Sequence, residues 1–466
     1  MTTVLLLFLT LLAVPAACKC LTFYAGDHAA CDSSVIHGGG TDDTAALQGL
    51  LDKARDGVTS VRLIMDGASL ITGLTVYSNT TIECINPSCG FFLADGSNCP
   101  LLKNEFFDKW FDHEPANRNI TISGGTWNHN ARGQAHDVPI PPEREYPRQD
   151  PSEPTPWWVM AFMFCGVENF VMKDVTIRNQ RTFAMAMKNW RFVNIDNVNI
   201  ILDEYMPANN QDGLHFLGPG RFLSLKNITG TAGDDIIALG PDEIEGECSI
   251  SDVMIDGLHM NHSDQGIRML CGRKGTLDRV LIKNVTGTYR GYGFIMNPWF
   301  DSESGGCYKN IIIDTVDIRA DDQCYDYMPP FIFRLGGNME HITFRNVHYH
   351  GSLPQYIAEI GGMGFRHEPP NALNRTRIRD LVLENVYIYD DPADHSYICC
   401  QDRVDALTLR NWRVNNKGSR GCLLELTDTA SVGELRMESI ITRGLKTLTD
   451  RPDRIQNIHK RGIITL

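Results

Sequence analysis

One short pattern recurs along this chain and leaves it few folds. It reads apolar-x-apolar-x-(Asn or a small polar residue)-apolar-x-apolar. Clear copies run from Phe170 to Val175, Val193 to Val198 and Phe222 to Ile228, with later ones starting near Val253, Val280, Ile311, Ile342, Leu381, Leu407 and Leu435. A repeat of this length is too small to bury its own apolar face, so neighbours must stack into a solenoid. Two short strands per repeat, joined at a corner and with little helical pattern, point to an all-β parallel β-helix. Its inward residues alternate with outward ones. About ten such coils account for the whole length as one domain, residues 18–466.

The polar residue at the corner is Asn197, Asn227, Asn284, Asn346, Asn385 or Asn411, with Asp174, Gly257 and Thr315 as variants. Asn tolerates the left-handed backbone of a sharp corner, and stacked amides can bond to one another. These positions read as structural. Ahead of the coils, His37-Gly38-Gly39-Gly40-Thr41-Asp42-Asp43 leads into a capping helix over residues 41–54. Thr41 or Asp42 is the expected N-cap, and Ala46, Leu47, Leu50, Leu51 and Ala54 the expected apolar face. The helix is expected to cover the first coil, whose core and strand edges would otherwise meet water. A phosphate-binding loop and a metal site at Asp42 and Asp43 are the readings set aside.

Residues 1–17 carry an apolar run from Val4 to Ala17, too short to span a bilayer and matched to a signal peptide. Fourteen scattered cysteines without paired CxxC spacing suggest disulfides rather than zinc. Acceptor motifs for N-glycosylation stand at Asn79, Asn119, Asn227, Asn261, Asn284 and Asn374. The expected location is therefore extracellular, and the expected state a monomer. A formal charge of -14 argues against nucleic acid and an anionic membrane as partners. Residues 131–156 hold seven prolines and no strand pattern, and precede Trp157-Trp158, whose rings either stack on sugars or pack inward.

Chemistry concentrates in Asn210-Gln211-Asp212-Gly213 and Gly233-Asp234-Asp235. Asp212 lies 22 residues before Asp234, close to one coil. Stacking then brings Asp212, Asp234 and Asp235 together, and clustered carboxyls supply the acid and the base of glycosidic cleavage.

Gly-Thr-Asp-Asp-Thr ahead of the coils, Gly124-Gly125-Thr126-Trp127-Asn128, and Asn-x-Asp followed by Gly-Asp-Asp resemble glycoside hydrolase family 28, the polygalacturonase group. The resemblance covers nearly all of the mature chain. It implies a right-handed parallel β-helix and inverting hydrolysis of pectic polysaccharide, with no metal or cofactor. It also implies Asp234 as the general acid, with Asp212 and Asp235 orienting and deprotonating water, and Asn210 beside them. Two family motifs are altered. Gln265 stands where Gly-His-Gly has its histidine, and Gly293 to Asn297 lacks the Arg-Ile-Lys that grips a uronate. Arg268 or Arg290 is the candidate replacement, His259 and His262 are within possible reach, and His215, three residues after Asp212, is a further site candidate. Two other readings stay open: a β-helix polysaccharide lyase, and a carbohydrate-binding solenoid without catalysis.

Overall fold

The structure, a computed structural model, describes residues 19–107, 117–134, 159–205, 210–244, 247–272, 274–297, 306–323, 330–350, 356–361, 377–391, 396–417 and 421–466. The expected signal peptide, most of the proline-rich stretch, Trp157-Trp158, Cys18, Cys324 and Asn374 lie outside these residues.

Every strand pairing is parallel, and fourteen successive pairings join fifteen strands, from Cys20–Tyr24 to Ile455–Thr465, into one ladder. The fold is the expected parallel β-helix. Its coils outnumber the expected ten because the first rungs, such as Ser60–Met65 and Thr80–Cys84, lack the corner signature. Phe170, Val193, Leu223, Val253, Val280 and Ile311 fall in register on successive coils, so the third copy starts at Leu223, one residue past the expected Phe222, which is a left-handed corner residue. All six are at most 3% exposed, so each coil lays an apolar side chain on the one before it.

The corners are left-handed. Asn197, Asn227, Asn284, Asn346, Asn385 and Asn411 have φ between 51° and 58°. Each amide donates to the preceding coil: Asn385 to Asn346 at 2.8 Å, Asn411 to Asn385 at 2.7 Å, Asn227 to Asp196 at 2.8 Å and Asn346 to Asp314 at 2.6 Å. A second left-handed column runs through Phe192, Phe222, Asp252, Arg279, Asn310 and His341. It went unread because no single residue type marks it.

The cap helix spans Thr44–Leu51, with a 3-10 turn over Asp52–Ala54. Asp42 accepts the Thr44 N–H at 2.9 Å, while the Asp43 carboxyl ties down the N–H groups of Ala30 and Cys31. Leu47, Leu50, Leu51 and Ala54 are buried, but Ala46 is exposed, a correction to the expected face. The stripe at i, i+3, i+4 and i+7 already covers the coil end, and Ala46 falls to its side. Gln48 ties the helix to the first coil by two bonds to the Thr75 backbone, at 2.8 and 3.0 Å.

None of the expected disulfides joins two of the described cysteines. Eight of the twelve described cysteines are buried. They behave as small apolar side chains in a wall that the β-ladder already closes. Among the described residues no helix is long and apolar enough to cross a membrane.

Candidate active site

Four consecutive coils build the site where outward residues line up. Leu214 pairs with Ile237, so Asp212 and Asp235, each two residues earlier, come opposite each other. Asp235 pairs with Gln265, and Gln265 with Tyr292. Three residues along the strands a parallel column holds His215, Ala238, Arg268 and Ile295. Gly213 lets the coils meet: a Cβ there would lie 2.2 Å from the Ile236 carbonyl. Gln180 and Gln211 brace the turn from below, Gln211 Nε2 donating to the Gln180 carbonyl at 2.7 Å and Gln180 Nε2 to that of Asp212 at 3.3 Å.

The carboxylate oxygens of Asp212, Asp234 and Asp235 come within 4.8 Å of one another. Their surroundings differ. Asp235 is engaged on both oxygens, accepting from Tyr292 at 2.5 Å and from Arg268 at 3.4 Å. Asp212 is held on Oδ2 by His215 Nδ1 at 2.8 Å, and among the described residues its buried Oδ1 has no hydrogen-bond partner. Asp234 is partly exposed, and among the described residues its carboxyl makes no hydrogen bond.

Burial pushes all three carboxyls above the usual carboxylate range, before any neighbour acts. For Asp234 the charges of Asp235 and Asp212 add to it, and the rise is large. Arg268 and the Tyr292 hydroxyl work against burial at Asp235, as His215 does at Asp212. Burial works against the His215 cation, yet Glu243 and Asp212 outweigh it and hold the imidazole up to about 10. Four carboxyls thus meet two cations, and burial with the charges of Asp235 and Asp212 drives Asp234 well towards its protonated form.

Asp212, Asp234, Asp235, His215, Gln265 and Arg268 lie together on these coils. Asn210 contributes a left-handed turn whose carbonyl accepts the Asp212 N–H at 3.0 Å. Arg290 stands at the edge, paired with Asp264 and lying over the Tyr205 ring. His259 bonds Thr286, and His262 bonds Asp321, so both are committed elsewhere.

Three members of the site went unread. Tyr292 lies 27 residues past Gln265, a coil length that could have flagged it. Phe183 stacks on His215 with ring centroids 4.7 Å apart. Glu243 accepts from His215 Nε2 at 2.8 Å. It comes from a turn outside the repeat, where no sequence signal points to it.

The three aspartates also have the oxygen donors that a hard cation such as calcium prefers. The His215 and Arg268 charges beside them oppose a divalent ion, and calcium asks for roughly six to eight oxygens.

No family model matches the chain, and no curated protein does. Solved structures do. The catalytic domain of a GH87 α-1,3-glucanase in complex with tetrasaccharides is 11% identical, with a TM-score of 0.51, over 97% of this chain and 70% of that one. A polygalacturonase from Erwinia carotovora ssp. carotovora is 14% identical, with a TM-score of 0.44, over 90% and 96%. A surface adhesin of Streptococcus pneumoniae is 14% identical, with a TM-score of 0.46, over 87% and 92%. What the chain shares with the glucanase at this identity is the fold.

Proposed function

We propose that this chain is a divergent, polygalacturonase-like glycoside hydrolase of family 28 type, secreted and monomeric, which cleaves a pectic or related cell-wall polysaccharide. The observation that carries the reading is the unequal treatment of three adjacent carboxyls. Asp235 is tied on both oxygens, Asp212 leaves one buried oxygen unpartnered among the described residues, and Asp234 is driven towards its protonated form. Asp234 gives its proton to the glycosidic oxygen as the bond to the anomeric carbon breaks. Asp212 Oδ1 takes a proton from the water that attacks that carbon, so the cluster's net charge is unchanged over the step. Asp235, held by Tyr292 and Arg268, supplies the fixed negative charge facing the oxocarbenium-like centre. A shared fold with an α-1,3-glucanase catalytic domain supports this reading.

Purified protein incubated with polygalacturonan, rhamnogalacturonan and neutral glycans, with products identified by mass and anomeric configuration, tests the proposal. Inverted products fit the family resemblance. Retained ones would fit the short separation of the carboxyls instead. Calcium-dependent release of unsaturated products would establish a lyase. Undiminished glycan binding after loss of Asp234, with no sugar released by the wild type, would establish a binding solenoid.

A further inference from the structure

His215 bridges two carboxylates, with Nδ1 2.8 Å from Asp212 Oδ2 and Nε2 2.8 Å from Glu243 Oε2. A neutral imidazole carries one N–H, so only the imidazolium donates to both at once. The three side chains are 4%, 2% and 12% exposed in the order His215, Asp212, Glu243, which keeps bulk water from competing. Phe183 lies against the ring at an interplanar angle of 16° and fixes its plane. The charged groups bearing on this bridge are Asp212, Asp234 and Asp235 of the cluster, Glu243 in its turn, and Arg268 on the following coil.

Resting on the hydrolase reading, we propose that Glu243 is a positioning residue: it holds His215 as an imidazolium, and that cation pins one oxygen of Asp212 so that the other serves as the base. Without Glu243 the ring would lose its second acceptor and need only one N–H. It could then leave Asp212 unfixed or share its proton differently. Glu243 acts through His215, which explains why an acidic residue from a non-repeating turn reaches into the catalytic coils.

Glu243→Gln keeps the size and a hydrogen-bonding head but removes the charge. NMR of the labelled imidazole in the full chain, without substrate, should show His215 losing its proton at a pH lower by about 1–3 units than in the wild type. On the substrate found by glycan screening, kcat should fall roughly tenfold while KM changes little, a split that loosened structure alone does not produce. Should the amide variant not fold, Glu243→Asp, which withdraws the carboxylate by one methylene, carries the same comparison. An unchanged His215 titration overturns the inference, as does a lowered titration with kcat intact. A wild type that releases no sugar from any glycan, with the His215 shift present, counts against the hydrolase reading and takes the catalytic role with it.

Discussion

Tyr292 donates its hydroxyl to Asp235 at 2.5 Å, across the coil that carries Gln265. The bond reaches a buried carboxylate whose other oxygen meets Arg268 at 3.4 Å. Tyr292→Phe removes a charge-assisted bond worth about 1.5–3 kcal/mol. We expect kcat to fall by roughly 10–100-fold with the circular dichroism spectrum unchanged. Because this bond works against burial in setting the Asp235 ionisation, its loss should also move that ionisation to higher pH.

Asp234→Asn should remove most of the activity, on the order of 10²–10⁴-fold, because an amide cannot protonate the leaving oxygen. Asp212→Asn and Asp235→Asn should be comparably damaging, and combinations far from additive. Steady-state kinetics of the single and triple variants check this. Normal turnover by the triple variant would sink the assignment.

The same carboxyl sets a stability cost that depends on pH. Below about pH 4 Asp234 is protonated in both folded and unfolded chains and costs nothing. As pH rises, the unfolded chain ionises while the raised folded pKa resists, so this contribution to stability is lost towards neutrality. Asp234→Asn should therefore raise the melting temperature, by more at pH 7 than at pH 4. Thermal melts at the two pH values decide it, and equal gains would count against a protonated Asp234.

Asn346 donates to Asp314 at 2.6 Å and accepts from Asn385 at 2.8 Å, at a φ of 56°. Asn346→Leu breaks both bonds and places a bulky residue in left-handed backbone. It should destabilise the coil by roughly 1–3 kcal/mol. An unchanged denaturation midpoint would tell against the amide ladder.

Substrate charge offers a further test. Arg268 is already engaged by Asp235, and Ile295 occupies the coil where a uronate grip was sought. The Asp212 and Asp235 carboxylates repel an anionic ring, so turnover on unbranched polygalacturonate should be weak, and a neutral sugar at the cleavage point should serve better. Efficient polygalacturonate hydrolysis that is abolished by Arg268→Ala would show instead that Arg268 holds the carboxylate.

The sequence by itself determined the coil, its apolar interior, the Asn corner and the meeting of Asp212 with Asp235. All of these follow from a period, because residues one coil apart must stack whatever the loops between them do. Leu47, Leu50, Leu51 and Ala54 were legible for the same reason, their spacing being a helical stripe. Only the tertiary structure decided what each carboxyl touches. Tyr292 comes from two coils beyond Asp235 and Glu243 from a turn with no repeat, and a hydrogen bond at 2.5–2.8 Å depends on rotamer and loop path, which periodicity does not specify. Those contacts separate three chemically identical aspartates into one tied on both oxygens, one with an unpartnered buried oxygen and one pushed well above the usual carboxylate range. Such a distinction arises from local burial and charge, and it exists only once the coils have closed.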